Sequence, residues 1–427
     1  MTRRPYPIAT ALKDSLKDGY SAATAKADLG AAVVVSLIAL PLSMALSIAV
    51  GLPPQNGLYT AIVAGIIAAL LGGSKVQVSG PTAAFVAILA PIVAQYGLTG
   101  LIWCQLIAGG LLVLMGALRL GRYIEHVPFS VTTGFTAGIA VVIATLSLND
   151  FLGLHIEKMG PHYLDKAAAI LNAVPHLTVA EAVIGLASLL TIIGFKKITQ
   201  KIPAQVAGVV VGTILAVIAN HQGVSVSTIQ STFQYITADG KVGYGIPPTW
   251  PQFHLPDMMN VAPLIWSAIA VALLAALESL LSATVADNIA ETKHDPNAEL
   301  TGIGFANLVT GFFGGIPATG AIARTSANIH AGGKTPFASA GHALLLLFYM
   351  LAFAKWISLI PMAALASLLL VTAWRMAHIP LVIEIVEAGN KKETAVLFVT
   401  FIMTVLVDMV AGVGCGLALY YALKKFN

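Results

Sequence analysis

Charged residues are scarce in this sequence. Asp, Glu, Lys and Arg make up 10% of its 427 residues, whereas a soluble globular domain carries about 25%. So few charges cannot cover a water-soluble surface of this size. The hydrophobic content of 57% and the mean hydropathy of +0.86 indicate a polytopic membrane protein instead. At roughly 20 apolar residues per span, the chain has room for about a dozen helices or slightly more. A soluble enzyme is excluded.

Cysteine is also scarce, which excludes two further kinds of protein. Cys104 and Cys415 lie far apart inside apolar runs, so neither a disulfide framework nor a CxxC metal site is available. The ten histidines form no HxxxH or HxH pair, and no Walker A motif occurs, so the sequence supports neither a metal enzyme nor an ATPase. Because the basic residues are scattered singly, the net charge of +4 suggests no nucleic-acid partner. We expect no cleaved signal peptide in the amphipathic, cytoplasmic segment 1–28.

Long apolar segments recur in two groups of seven. The first group occupies residues 29–220 and the second occupies residues 261–427. The polar stretch 221–260 between them contains several Gly and Pro residues and is predicted to be an extracytoplasmic connecting loop. Two repeats with an odd number of spans are inverted relative to each other. In the thirteenth segment, residues 380–388 are predicted to run into residues 395–408.

The third segment of each half is short and is interrupted by glycine and proline. In the first half, Gly72-Gly73 is followed by residues 76–81 and a short helix-like run; in the second, Gly314-Gly315 is followed by residues 316–320 and another short run. Such segments at corresponding places in two repeats are typical of a transporter site made from broken helices. The alternative is a pair of ordinary kinks in lipid-facing helices, although non-helical backbone at membrane depth needs protein or a water cavity around it.

The positions of lysine and arginine test this fourteen-span arrangement. With both termini in the cytoplasm, Arg324 falls within a span and 18 of the 23 basic residues fall on the cytoplasmic side. The four that fall outside are Lys158, Lys166, Lys241 and Lys355. This asymmetry follows the positive-inside rule and predicts cytoplasmic termini.

Arg324 lies inside the short tenth segment. A cation at membrane depth usually faces a partner or an aqueous cavity, so we expect a functional role for it. The alternative is an arginine near a helix end whose side chain extends to the cytoplasmic membrane surface, because Arg324 is less than three turns from Gly332.

Glu278 lies in the middle of the eighth segment, after about fifteen uncharged residues. A carboxylate at that depth is either protonated or paired with a cation or a metal ion. It can therefore load and release a proton, with Ser282 one turn further along the same helix face. Arg324 is its expected partner across the two repeats. The alternative is a structural Glu that is hydrogen-bonded to a neighbouring helix.

The two short helices complete the candidate site. If residues 82–84 and 323–325 begin half-helices whose N-termini point toward each other near the midplane, their free N–H groups and dipoles form an anion site. Ser43, which follows Pro41 in the first segment, corresponds in the repeat to Glu278 and would line the same cavity. Pro41 fits a simple helix kink equally well.

Several spaced motifs together resemble the SulP family of anion transporters. They cover nearly the whole chain, which makes the resemblance far more specific than any single motif. The motifs are LPLSMA at 40–45, GLPPQNGLY at 51–59, LGGS at 71–74, VSGPTA at 78–83, GFTAGI at 134–139 and the run 312–324. The stretches most similar to bacterial carriers of four-carbon dicarboxylates are DFLGL at 150–154, ESLL at 278–281, TKH at 292–294 and NAEL at 297–300.

The resemblance implies an all-α protein with the uracil-permease-like fold of 7+7 inverted spans. In this fold a core domain contains spans 1 to 4 and 8 to 11, and a gate domain contains spans 5 to 7 and 12 to 14. The family binds its substrate between the third and tenth spans. The residues so assigned to the substrate, with Thr325 added from the half-helix argument, are Leu42, Ser43, Thr82, Ala83, Ala323, Arg324 and Thr325.

The resemblance assigns the coupling ion to Glu278 and Ser282. A bicarbonate-carrying relative is expected to hold sodium near these positions, with Asp at the former. The longer Glu in this sequence resembles proton-coupled relatives, so we expect a proton as the coupling ion and keep sodium as the alternative.

The function implied by the resemblance is secondary active anion transport in a bacterial inner membrane. We expect proton-coupled uptake of dicarboxylates such as succinate, fumarate and aspartate by an elevator-like mechanism. Sulfate or bicarbonate uptake, with or without sodium, is the first alternative, and a passive anion channel is the second. A homodimer formed through the gate domain is expected. The family's usual cytoplasmic STAS domain does not follow Lys424-Lys425 in this sequence, which ends at Asn427, so we expect either that the domain has been removed or that the protein belongs to a branch without it.

Overall fold

The computed structural model of the protein describes residues 8–124, 128–156, 159–160, 162–195, 197–199, 202–237 and 239–425. Two sequence predictions fall in part outside these ranges. Lys158, assigned to the extracytoplasmic side, and Lys196 and Lys201, assigned to the cytoplasmic side, lie outside the described residues, as do the first seven residues of the N-terminal segment.

The first half of the chain is built from long helices and one short strand. Its α-helices are α1 (Thr10–Lys17), α2 (Ala22–Val50), α3 (Pro54–Leu71), α4 (Val86–Ala117), α5 (Gly121–Ile124), α6 (Phe129–Phe151), α7 (Tyr163–Ala173), α8 (Val179–Phe195) and α9 (Ala204–His221). Its other elements are strand β1 (Ser79–Pro81) and the 3-10 helices Ala83–Phe85 and Val174–His176. Gly97 has a φ of 62°, which breaks α4 into two parts.

The second half has the same plan. Its α-helices are α10 (Ile229–Thr232), α11 (Ile265–Ala290), α12 (Pro296–Phe312), α13 (Ile322–His330), α14 (Pro336–Ile357), α15 (Met362–Met376), α16 (Ile379–Glu387), α17 (Lys391–Leu406) and α18 (Met409–Lys425). Its other elements are the strands β2 (Gln234–Ile236), β3 (Val242–Tyr244) and β4 (Ala318–Gly320) and the 3-10 helix Ala262–Leu264.

The break in each third segment is an extended strand. β1 follows α3 and β4 follows α12, and the two strands pair antiparallel with Gly80 opposite Thr319. All residues of both strands are buried. The predicted non-helical breaks at corresponding places of the two halves are therefore confirmed. Their pairing with each other is a feature that the sequence did not indicate.

Each of the fourteen predicted segments can be assigned to a helix or part of a helix among the described residues. Within the described residues, eight stretches are long and apolar enough to cross a membrane, and a pair of helices bent by 112° supplies a ninth candidate. One of the eight, Ala83–Ala117, contains both the third and the fourth spans because of the break at Gly97. The other segments are helices of fewer than 18 residues: α12, α13, α17 and α18.

The chain divides into two compact units. Unit 1 comprises Met1–Thr82, Ile92–His126 and Phe233–Ile357. Unit 2 comprises Ala83–Pro91, Val127–Thr232 and Ser358–Asn427. Unit 1 thus contains spans 1, 2, 4 and 8 to 11, and unit 2 contains spans 5 to 7 and 12 to 14. With one exception, this is the division into core and gate domains that the family resemblance implied. The exception is Ala83–Pro91, the first part of the third span's helix, which groups with unit 2.

Near the C-terminus the structure corrects the predicted segments. Residues 380–388 and 395–408 do not run together but form the separate helices α16 and α17. Gly389, with a φ of 69°, follows α16, and the Asn390 side chain caps α17 by accepting hydrogen bonds from its first-turn amides. These two residues provide a helix stop and a helix start that the hydrophobic pattern alone does not reveal.

Some structure also lies where the sequence suggested only loops or tails. Helix α7 occupies the connection between the fifth and sixth spans, and a capping box between His162 and Asp165 starts it. The connecting loop 221–260 contains a hairpin of β2 and β3. Helix α2 begins at Ala22, inside the predicted segment 1–28, because the Ser21 side chain caps it.

Candidate anion site

The first turn of α13 lies beside β1 in unit 1. Ala321 N donates a 2.9 Å hydrogen bond to Val78 O, and Val78 N donates a 3.0 Å hydrogen bond to Thr325 Oγ1. The N-cap residue Ala321 makes no side-chain cap, and the first amides of a helix have no intrahelical acceptor. The start of α13 therefore offers backbone donors and the positive end of a helix dipole next to the paired strands.

Arg324 is buried, with an exposed fraction of 2%. Its Nη2 donates a 2.5 Å hydrogen bond to Pro81 O, at the end of β1. Its Nε and Nη1 atoms are also buried and have no hydrogen-bond partner among the described residues. This burial excludes the alternative in which the guanidinium extends to the membrane surface. Two donor nitrogens on a buried cation remain for a ligand.

Gly80 provides the space that the guanidinium occupies. A Cβ atom at this position would lie 2.6 Å from Arg324 Nη1. That separation is shorter than nonbonded carbon and nitrogen atoms tolerate, so any side chain at position 80 would displace the cation. The glycine of the third segment is thus required by close approach of the backbone to a side chain.

Glu278 is half-buried in α11. Thr82 Oγ1 donates a 2.9 Å hydrogen bond to Glu278 Oε2. Glu278 and Arg324 interact electrostatically, but among the described residues they form no ion pair within 4 Å. The predicted partnership of Glu278 with Arg324 is therefore an electrostatic interaction without a direct salt bridge. The adjacent residues Pro81 and Thr82 connect the two charged groups, because each binds one of them.

Side-chain hydroxyls attach α11 to the second broken span. Ser279 Oγ lies 2.8 Å from Thr319 Oγ1 and accepts a 3.0 Å hydrogen bond from Gly320 N. One turn further along, Ser282 Oγ lies 3.3 Å from Thr325 Oγ1. Two of the predicted residues, Ser282 and Thr325, are thereby brought together, and both are buried.

The other predicted residues lie in several environments. Ser43 is buried, and its Oγ has no hydrogen-bond partner in the described part of the chain, whereas Leu42 is half-buried. Ala323 is exposed in the first turn of α13. Ala83 is buried and begins the 3-10 helix that directly follows Thr82. Their roles in binding an anion stay predictions.

Sequence reasoning missed a buried histidine near Arg324. His342 is fully buried in α14, its Nδ1 is hydrogen-bonded to Ser339 O, and its Nε2 has no partner among the described residues. It interacts electrostatically with Arg324. The signal was present, because His342 is an ionisable residue inside an apolar segment. Its spacing from the other histidines is not that of metal ligands, so that pattern does not single it out. In the described part of the chain, no group of three or more His, Cys, Asp or Glu side chains could hold a metal ion.

The chain matches the sulfate permease family over residues 26–400. A relative in Bacillus subtilis, named "Putative sulfate transporter YvdB", is 41% identical over 409 residues, which cover 94% of this chain and 74% of that protein.

Two solved structures are similar to this fold. The transmembrane domain of the cyanobacterial bicarbonate transporter BicA is 27% identical, with a TM-score of 0.79 over 92% of this chain and 99% of that one. The murine Solute Carrier 26 family member A9 anion transporter is 18% identical, with a TM-score of 0.85 over 98% of this chain and 71% of that one. At that identity the second likeness shows the fold alone.

These transmembrane domains share the 7+7 inverted-repeat fold, so the predicted fold class is confirmed. The family consists of membrane transporters, which agrees with the exclusion of an enzyme. The chain therefore belongs to the sulfate permease family, the SulP family of the resemblance, and is a multi-pass membrane protein that transports anions.

Proposed function

We propose that this chain is a proton-coupled symporter that binds its anion at Arg324 and its proton at Glu278. The observation that carries the proposal is the connection of the two charges through adjacent residues. Pro81 O accepts a hydrogen bond from Arg324, and Thr82 Oγ1 donates one to Glu278. A change in the charge or position of Glu278 or Arg324 therefore affects the other residue through the peptide unit that joins Pro81 and Thr82.

The anion is the ligand that fits Arg324. Its unpartnered Nε and Nη1 atoms are hydrogen-bond donors with a positive charge, and the uncapped start of α13 adds backbone donors beside them. Charge-assisted hydrogen bonds from a guanidinium suit carboxylate and other oxyanion oxygens. The site so defined lies within unit 1.

The proton is the coupling ion that fits Glu278. An ionised carboxylate repels an anion held nearby, whereas a protonated one does not. The anion therefore binds more tightly when Glu278 is protonated, and by thermodynamic linkage the bound anion favours the proton. Sodium held by Glu278 and Ser282 is the alternative. The hydroxyls of Ser282 and Thr325 lie within hydrogen-bonding distance of each other. Because the Ser282 hydroxyl already has this partner, we favour the proton over sodium.

Dicarboxylates such as succinate, fumarate and aspartate are the substrates that we propose, on the strength of the motif resemblance. Sulfate or bicarbonate is the second candidate, and the names of the two relatives favour it: YvdB as a sulfate transporter and BicA as a bicarbonate transporter. A passive anion channel is the third candidate function, and the ionisable Glu278 beside the site argues against it.

Uptake into proteoliposomes tests this proposal. Labelled succinate, fumarate, aspartate, sulfate and bicarbonate are each supplied with an inward proton gradient, with an inward sodium gradient and with neither. We expect accumulation of the dicarboxylates against their gradient only when the proton gradient is present. Equal uptake under all three conditions would overturn symport in favour of a channel. Accumulation driven by sodium, or of sulfate or bicarbonate alone, would overturn the assigned ion or substrate. Liposomes carrying the Arg324→Gln variant supply the background rate.

We also propose how the protein moves and in which membrane it lies. Because Arg324, Glu278 and the hydroxyls around them all belong to unit 1, this unit is able to carry anion and proton together in an elevator-like cycle. We further propose a homodimer in a bacterial inner membrane with both termini in the cytoplasm, as the distribution of basic residues indicates.

A further inference from the structure

Different kinds of side chain hold the backbone segments that lead into the two paired strands, β1 and β4. On the approach to β4, Asn56 Nδ2 donates a 2.6 Å hydrogen bond to Gly314 O. Thr60 Oγ1 donates to Ile316 O at 3.0 Å and accepts from Ile316 N at 2.7 Å. Both side chains belong to α3 and both are neutral. They fix the backbone of the second broken span without any ionisable group.

On the approach to β1, a carboxylate takes the corresponding place. Glu299 lies in the first turn of α12, as Asn56 lies in the first turn of α3. Its Oε2 accepts hydrogen bonds from Gly73 N at 2.9 Å and from Ser74 N at 3.1 Å, and its Oε1 accepts one from Gln77 Nε2 at 2.6 Å. With an exposed fraction of 2%, Glu299 is buried. The inverted repeats are therefore chemically unequal at this point.

All three partners of Glu299 are donors, so the contact needs a group that only accepts. An ionised carboxylate is such a group. A proton on the oxygen that faces Gln77, or an amide NH2 group in its place, would set a donor against Gln77 Nε2 unless Gln77 turned its amide over. Gln77 Oε1 is buried and has no partner among the described residues, which shows that the amide is held by its Nε2 contact alone. The charge on Glu299 thus selects the orientation of Gln77.

Gln77 is directly coupled to the anion site along the chain. It lies two residues before β1, and Ser339 Oγ donates a 2.5 Å hydrogen bond to its carbonyl oxygen. β1 ends at Pro81, whose carbonyl oxygen holds Arg324. The intervening backbone is extended and paired with β4. A shift of the segment at Gln77 is therefore passed on to Pro81 and Thr82 rather than absorbed by a flexible loop.

We infer that Glu299 is a positioning residue of the anion site. Its carboxylate fixes residues 73–77 and, through β1, the Pro81 carbonyl that orients Arg324 and the Thr82 hydroxyl that binds Glu278. Glu299 does not touch the anion. This inference rests on the proposed binding of the anion at Arg324.

Exchanging donor and acceptor between positions 299 and 77 tests the inference. The variants are E299Q, Q77E and the double variant E299Q/Q77E, each purified as the full chain. In the double variant an amide at position 299 still accepts from Gly73 N and donates to a carboxylate at position 77. Dissociation constants for succinate and sulfate are measured by calorimetry, and KM and Vmax by uptake. We expect each single variant to weaken binding about tenfold, the effect of about one charge-assisted hydrogen bond. The double variant should recover to within about threefold.

Two controls separate this inference from the proposed site and from general destabilisation. Glu384→Gln, an exposed carboxylate on α16, should change neither constant. If Arg324→Gln weakens binding while E299Q and Q77E do not, the positioning role is overturned and the anion site stands. If Arg324→Gln has no effect, the anion site itself is overturned. A double variant as weak as the single variants also contradicts the inference.

Folding is checked by gel filtration and by the unfolding temperature without anion. Should E299Q not fold, Q77A removes only the amide partner and tests the same contact. Unchanged binding in Q77A would overturn the positioning role.

Discussion

Thr82 Oγ1 donates a 2.9 Å hydrogen bond to Glu278 Oε2 across 196 positions of the sequence. The two residues belong to opposite repeats, and the bond gives Glu278 a neutral donor in addition to its electrostatic interaction with Arg324. No hydrogen bond from the described residues reaches Glu278 Oε1. A half-buried carboxylate held by one neutral donor can take up and release a proton without breaking a salt bridge.

Glu278→Gln should abolish the dependence of uptake on the proton gradient while sparing anion exchange. The amide still accepts the Thr82 hydrogen bond but cannot be ionised, so it mimics the protonated state throughout the cycle. Succinate uptake with and without an inward proton gradient, together with exchange of internal for external succinate, measures both properties. Glu384→Gln removes an exposed carboxylate and serves as the matched control. Gradient-driven accumulation in the Glu278 variant would contradict the assigned role.

Thr82→Val should change coupling more than Thr82→Ser. Valine is similar in shape but has no hydroxyl, so Glu278 loses its hydrogen-bond donor, whereas serine keeps it. The pH dependence of anion binding, measured by calorimetry between about pH 5 and pH 8, should therefore be altered in the valine variant and preserved in the serine variant. Identical pH profiles for the two variants would show that the bond has no part in proton binding.

Arg324→Gln should weaken anion binding about 30-fold or more, because hydrogen bonds to charged groups contribute about 2 kcal/mol and the charge is lost as well. Arg324→Lys keeps the charge but lacks the planar fork that reaches Pro81 O, so an intermediate loss is expected. Calorimetric titration of both variants with succinate and sulfate distinguishes the two effects. Affinity equal to that of the unmodified protein in Arg324→Gln would place the anion elsewhere.

Gly80→Ala should lower anion affinity through Arg324 without removing any polar group. The added Cβ would lie 2.6 Å from Nη1 and force the guanidinium to move. Gly110→Ala is the matched control, because a Cβ at that position meets no atom within 4 Å. We expect at least tenfold weaker binding in the first variant, the effect of about one charge-assisted hydrogen bond, and unchanged binding in the second. Equal affinities would show that the position of the guanidinium does not determine binding.

Much of the fold could be predicted because apolar segments and their interruptions are local properties of the sequence. The segment Val179–Phe195 agrees with the observed helix at both ends. The breaks at Gly72-Gly73 and Gly314-Gly315 pointed to the correct places because glycine and proline disfavour helix locally. The pairing of β1 with β4 could not be predicted in the same way. It joins residues more than 200 positions apart, and each strand has only three residues.

The candidate site was predictable only where a charge stood out against an apolar background. Arg324 and Glu278 were found for that reason. Glu299 was not singled out, because Asp295 and His294 stand near it in the sequence and suggest an ordinary loop end. Its importance comes from three hydrogen bonds to residues 73–77, which the fold brings to it. Thr82 was predicted to face the anion, but its hydrogen bond to Glu278 was not predicted, because a threonine beside Pro81 carries no charge.

Asp28→Ala should lower stability without changing anion affinity. Asp28 is 2% exposed and accepts hydrogen bonds from Lys334 N at 2.8 Å, from Thr335 N at 3.2 Å and from Thr335 Oγ1 at 2.5 Å. It thereby ties α2 to the start of α14, and loss of these bonds should cost about 2 to 3 kcal/mol. The unfolding temperature of the purified protein should fall by several degrees, while Asp14→Ala, at an exposed position on α1, leaves it unchanged. Equal unfolding temperatures would contradict this role, and a loss of succinate affinity would mean that the connection between α2 and α14 also shapes the anion site.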